Sequence, residues 1–134
     1  MPSIIDIEGV GAVFAKKLKA AGIVTTDALL EAGCTPKGRK DIAAKTGIDE
    51  AKILEWVNHV DLYRIKGVGS EYSDLLEEAG VDTVVELAKR VPANLFAKMV
   101  EVNKAKKLVR KMPIEPQVKD WIEQAKKMPR KVTY

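Results

Sequence analysis

The sequence has one cysteine, Cys34, and one histidine, His59. A single cysteine excludes an intrachain disulfide framework and a thiolate metal cluster. A single histidine leaves zinc to be held mostly by carboxylates, an improbable ligand set. No metal and no cofactor is therefore expected, and the chain reads as a reduced, cytoplasmic protein. Long apolar runs are also missing, so no segment is expected to cross a bilayer. The opening stretch MPSIIDIEG places Asp6 and Glu8 where a signal peptide needs a basic start and a long apolar core. Alternation of apolar and polar residues is never sustained, which argues against strands.

What is present fits a globule: of 134 residues, 46% are hydrophobic and 31% charged, enough apolar material for one ordinary domain or two very small ones. The net charge of +4 permits nucleic-acid contact without demanding it. Its distribution is uneven. Ten basic residues fall between Lys104 and Lys131, against Glu115, Asp120 and Glu123, whereas Glu71 to Glu86 holds six acids and no base. Solvated helix faces account for such runs as readily as binding does.

The chain also contains one pattern twice. IEGVGAVFAKKLKAAGI and IKGVGSEYSDLLEEAGV lie 58 residues apart, and at that offset Ile4 matches Leu62, Ile7 matches Ile65, Phe14 matches Tyr72, and Leu18 matches Leu76. GIVTTDAL then matches GVDTVVEL, and after a loss of four residues IDEAKIL (48–54) meets VNKAKKL (102–108). Similarity of this length reads as an internal duplication. Paired glycines, Gly9 and Gly11 or Gly67 and Gly69, allow backbone geometry closed to other residues, with Val10 and Val68 between them as inward plugs. Gly22 and Gly80 stand where left-handed helix caps are expected. Thr25, Thr83 and Thr35 before Pro36 read as N-caps, as do Asp49 for a helix EAKILEWVNHV and Asn103 for a helix KAKKLVRKM.

Apolar positions recur at helical spacing throughout, so the expected fold is all-α, with nine or ten short helices. The expected organisation is a single domain over 1–134, with repeats at 4–59 and 62–112 packed as one compact pair and a helical appendage at 113–134. Eight residues before the first glycine turn leave room for a single helical turn at most. The last helix, QVKDWIEQAKKM, carries Val118, Trp121, Ile122 and Ala125 on one stripe. It is expected to fold back over the first repeat, with Trp121 among Ile4, Ile7, Phe14 and Leu18.

A helix, a turn with two glycines around an apolar residue, and a second helix together resemble the helix-hairpin-helix motif of DNA-repair and recombination proteins. The tandem arrangement is similar to sterile-alpha-motif-like folds, and residues 4 to about 128 resemble an uncharacterised domain-of-unknown-function family built from two such motifs. That resemblance implies a non-enzymatic module that binds nucleic acid non-specifically through backbone phosphates, DNA before RNA. It carries over to Gly9, Val10, Gly11, Lys16, Lys17 and Lys19 at the first turn, and to Lys66, Gly67, Val68, Gly69 and Ser70 at the second. Turn and helix N–H groups would cradle the phosphate.

Two features depart from that pattern. DNA-binding hairpins carry a polar or basic residue two places beyond the second glycine, where this chain has Val13 and Glu71. Glu71, Asp74, Glu77 and Glu78 would repel a phosphate, and Glu8 adds a negative charge beside the first turn. The alternative reading is an adaptor that binds an unidentified protein, its hairpins purely structural. A monomer is the default in either case.

Catalytic candidates are sparse. His59 and Asp61 stand two apart on a helix and point apart, with no nucleophile beside them. Gly80-Val81-Asp82 is similar to the Gly-Pro-Asp signature of helix-hairpin-helix glycosylases but lies too close to the turn. Trp56 and Trp121 have apolar neighbours at helical spacing and read as core. Cys34 reads as a partly buried spectator.

Overall fold

The computed structural model describes residues 3–7 and 9–134. Among them the regular elements are helical: a 3-10 turn (Ile4–Asp6), then α1 (Gly11–Ala20), α2 (Thr26–Gly33), α3 (Pro36–Thr46), α4 (Glu50–Leu62), α5 (Ser70–Glu78), α6 (Val84–Ala88), α7 (Pro92–Lys106) and α8 (Glu115–Lys126). An isolated bridge between Ser3 and Thr25 is the extent of β pairing among the described residues. The all-α expectation holds, with eight α-helices and one 3-10 turn where nine or ten helices were expected.

The helix ends follow from side-chain chemistry that was visible in the sequence. Thr25 Oγ1 accepts from the Ala28 N–H (3.1 Å), Thr83 Oγ1 from Glu86 (3.3 Å), and Thr35 Oγ1 from Gly38 (3.1 Å). Each satisfies a donor that the helix leaves unpaired, and each is typically worth about 1 kcal/mol against alanine. Asp49 Oδ1 accepts from Ala51 at the start of α4. Gly22 and Gly80 have φ of 86° and 98°, the left-handed geometry expected of them.

Asn103 is different. It sits inside α7, where its amide brackets the following loop: Oδ1 accepts from Val109 N–H (3.0 Å) and Nδ2 donates to Val109 O (3.3 Å). The expected helix KAKKLVRKM therefore does not form. Pro92 starts a helix that runs until Lys107 turns it off in the left-handed region at φ 52°. Matching 48–54 to 102–108 aligned the start of α4 with the end of α7, and the structure overturns it.

The chain divides into two compact units, one running to Asp61 and taking in Lys131–Tyr134, the other Leu62–Arg130. Equivalent backbone bonds occur in both at the offset of 58. Ile7 N–H donates to Ile4 O (3.2 Å) and Val10 N–H to Ile7 O (3.1 Å); Ile65 N–H donates to Leu62 O (3.1 Å) and Val68 N–H to Ile65 O (3.1 Å). Ile23 N–H reaches Leu18 O at 2.9 Å, and Val81 N–H reaches Leu76 O at 2.8 Å.

Each unit buries a tryptophan against its own glycine turn. In the first, Trp56 of α4 lies with its ring centroid 5.2 Å from Phe14. In the second, Trp121 of α8 lies 5.3 Å from Tyr72 and is packed with Leu62, Ile65, Val68 and Leu76. This corrects the expectation that Trp121 covers Ile4, Ile7, Phe14 and Leu18. The cover at Phe14 is already supplied by Trp56, so α8 closes the unit in which it lies.

The last four residues strap onto the first unit. Thr133 N–H donates to Cys34 O (2.8 Å), Arg39 Nη2 to Thr133 O (2.7 Å), and Val132 is buried. Arg39, itself buried, also donates to Gly33 O at 2.9 Å. A buried guanidinium costs desolvation, and these two carbonyls offset it.

Candidate nucleic-acid interface

Both glycine turns expose their glycines and bury the valine between them. Val10 is 2% exposed and Val68 5%, so the inward plugs are in place. The Val10 and Val68 N–H groups already serve Ile7 and Ile65, whereas the first N–H groups of α1 and α5 have no partner within their helices. Neither helix has a side-chain N-cap: the cap residues are Val10 and Gly69.

The glycines are held to different tolerances. Gly9 and Gly67 are left-handed, at φ 87° and 101°. A methyl group at Gly9 would stand 3.9 Å from Trp56 Nε1, but at Gly67 only 3.0 Å from Trp121 Nε1. The second pair of glycines differs as well, with Gly11 left-handed at φ 65° and Gly69 extended at −115°.

Around the first turn the charge is positive. The helix GAVFAKKLKA contains no acid, and Lys16, Lys17 and Lys19 are all exposed. At about 1.5 Å of rise per residue, they stand roughly 8–12 Å along the axis from Gly11. That is too far to share a single group bound at the turn. Val13, two places after Gly11, is 69% exposed. Asp6, upstream of the turn, turns its carboxylate back to the Ser3 N–H at 3.3 Å. Glu8 lies outside the described residues.

Around the second turn the charge is negative. Glu71 and Glu78 are exposed, and Asp74 and Glu77 half-buried, along α5. Lys66 is exposed, yet its peptide group is bonded on both sides by one side chain: its N–H donates to Gln124 Oε1 (2.8 Å) and its carbonyl accepts from Gln124 Nε2 (3.1 Å). Gln124 Nε2 also reaches Asp120 Oδ2 at 2.9 Å. Lys66 and Gly67 line an open cleft of about 680 Å³ with Gln117, Asp120, Trp121 and Gln124, so a carboxylate faces it. Ser70 is half-buried at the start of α5, its carbonyl accepting from Ser73 Oγ at 2.9 Å. Glu78 is paired with Lys106 at 2.6 Å, and that bond raises the Lys106 ammonium above its ordinary range.

Sequence reasoning missed two contributors. Lys52, from the first turns of α4, sets its ammonium 5.7 Å from the Phe14 ring centroid, with Lys17 at 5.9 Å. Gln124 closes the second turn. Neither carries a local signal, because each acts on a residue distant in the chain. His59 and Asp61 are both buried in α4, 2% and 1% exposed. Trp56 and Trp121 are core, as expected.

Among the described residues no helix is long and apolar enough to cross a membrane. Neither a curated protein nor a solved structure matched the chain. A family profile does match it, over residues 8–128. On that match the chain belongs to the family described as Domain of unknown function (DUF4332).

Proposed function

We propose that the chain is a non-enzymatic module of two helix-hairpin-helix repeats that binds nucleic acid without sequence preference, through phosphates, at its first glycine turn. The observation that carries this is the pairing of an uncapped, acid-free helix start with three exposed lysines along the same helix. Uncapped N–H groups and the positive end of the helix dipole favour an anion at Gly11. The lysines extend that attraction along the strand. DNA is placed before RNA on the resemblance to repair-type hairpins alone.

For the second unit a different reading is favoured. Gln124 occupies both sides of the Lys66 peptide and α5 is acidic, so this turn serves as scaffold. An adaptor function extends that reading to the whole molecule, with both hairpins structural and a protein as partner.

Fluorescence anisotropy with single-stranded, duplex and junction DNA and with RNA, at low and moderate salt, separates the two. Salt-sensitive binding with little dependence on sequence supports phosphate contact. Absence of binding at low salt favours the adaptor.

A further inference from the structure

Phe14 is half-buried, and two ammonium groups from different helices share its ring. Lys17 reaches it from α1, three residues on. Lys52 reaches it from α4, where it lies one helical turn before Trp56 and so on the same face. The packing of Trp56 on Phe14 is thus what delivers Lys52 to the ring. Neither lysine is ion-paired to a carboxylate among the described residues. The ring's negative face attracts each ammonium, but two like charges brought to one ring repel each other. An anion placed beside them relieves that repulsion.

We infer that Phe14 seats Lys17 and Lys52 as a two-point contact for neighbouring phosphates of one nucleic-acid strand, carrying the first-turn interface from α1 onto α4. This rests on the phosphate-binding reading above. With both ammoniums within 6 Å of one centroid, they stand at most about 12 Å apart, a separation that neighbouring phosphates of one strand can bridge. Holding both stems against the ring before the strand arrives lowers the ordering cost of binding. Phe14 is a positioning residue here, since the lysines make the contact.

The test uses the full chain and a fluorescein-labelled single-stranded oligonucleotide, titrated at salt between about 50 and 200 mM. Lys52→Gln should leave the melting temperature unchanged, because Lys52 is exposed. It should lower the salt slope by about 0.7, so that the unmodified chain loses about threefold more affinity than the variant across that range. Phe14→Leu keeps both charges and should weaken binding with the slope nearly unchanged, and Phe14→Tyr should restore it. If the unmodified chain does not bind at low salt, both this inference and the reading beneath it fall. If it binds, and the triple change of Lys16, Lys17 and Lys19 weakens it while Lys52→Gln changes nothing, this inference alone falls. Competition by polyglutamate as effective as by unlabelled oligonucleotide overturns the strand assignment in favour of an acidic protein.

Discussion

The turn at Gly9–Gly11 and the turn at Gly67–Gly69 share the same backbone bonds and carry opposite charge. The shared part is the part that physics constrains tightly: a left-handed glycine, a buried valine, a tryptophan against the turn. Lys16, Lys17, Lys19 and Glu71 sit on exposed positions, where charge can change at little cost to stability. Asp74 and Glu77 are half-buried, and Glu78 is paired with Lys106. One turn leads into three lysines, the other into Glu71, Asp74, Glu77 and Glu78. The turn itself is common to both units, and the charge carried around it is what sets them apart.

The sharpest way to break the comparison is to remove a cover. Trp56→Ala and Trp121→Ala should each cost about 3–5 kcal/mol, a large share of the stability of so small a protein. Amide exchange should show protection lost in the unit that holds the changed residue. Truncation after Met112 removes α8 and should abolish cooperative unfolding of Leu62–Arg130. A truncated chain that melts as sharply and as hot as the full one would show that α8 is not the cover.

Next in size is the glycine pair. Gly67→Ala combines left-handed strain with a methyl group 3.0 Å from Trp121 Nε1, whereas Gly9→Ala meets Trp56 at an ordinary 3.9 Å. Strain alone costs about 1–2 kcal/mol, so Gly67→Ala should be the more destabilising by about 1 kcal/mol or more. Chemical denaturation of the two variants measures the difference. Equal losses would mean that Trp121 moves aside without cost.

Charge exchange probes function with a smaller effect on the fold. Changing Lys16, Lys17 and Lys19 to Glu should weaken oligonucleotide binding and flatten its salt slope. Glu71→Lys should strengthen binding modestly, by removing one repulsive charge while Gln124 keeps its hold on Lys66. A strong gain at Glu71→Lys would show the second turn to be competent and masked only by its acids.

The smallest expected effect is alkaline. The Glu78 carboxylate raises the Lys106 ammonium above its ordinary 10.5. A raised lysine contributes stability that is fully present below its unfolded value and lost as pH rises through the folded one. Thermal melts of the unmodified chain and of Lys106→Gln should therefore differ slightly at neutral pH and converge as the pH rises through the raised lysine value. The pair is exposed, so a small difference is expected.

The helical fold, the caps at Thr25, Thr35, Asp49 and Thr83, and the two glycine turns were all legible in the sequence. These depend on bonds between residues a few places apart, so residue type and spacing decide them. Asn103 misled because its side chain bonds forward to Val109 across a loop, and an asparagine before a lysine-rich run is locally indistinguishable from an N-cap. Gly38 went unremarked, although a methyl group there would run into the Ala32 carbonyl of the preceding helix.

Tertiary structure alone decided which surface each tryptophan covers. The stripe on α8 announces that Trp121 is buried, but Phe14 and Tyr72 offer equivalent seats. The choice fell to the turn that Trp56 had not filled. The same holds for Lys52 on Phe14, Gln124 on Lys66, and Arg39 on the Thr133 carbonyl. Each joins residues brought together by the path of the chain. Local chemistry states what such a residue needs, and packing decides which of several adequate partners supplies it.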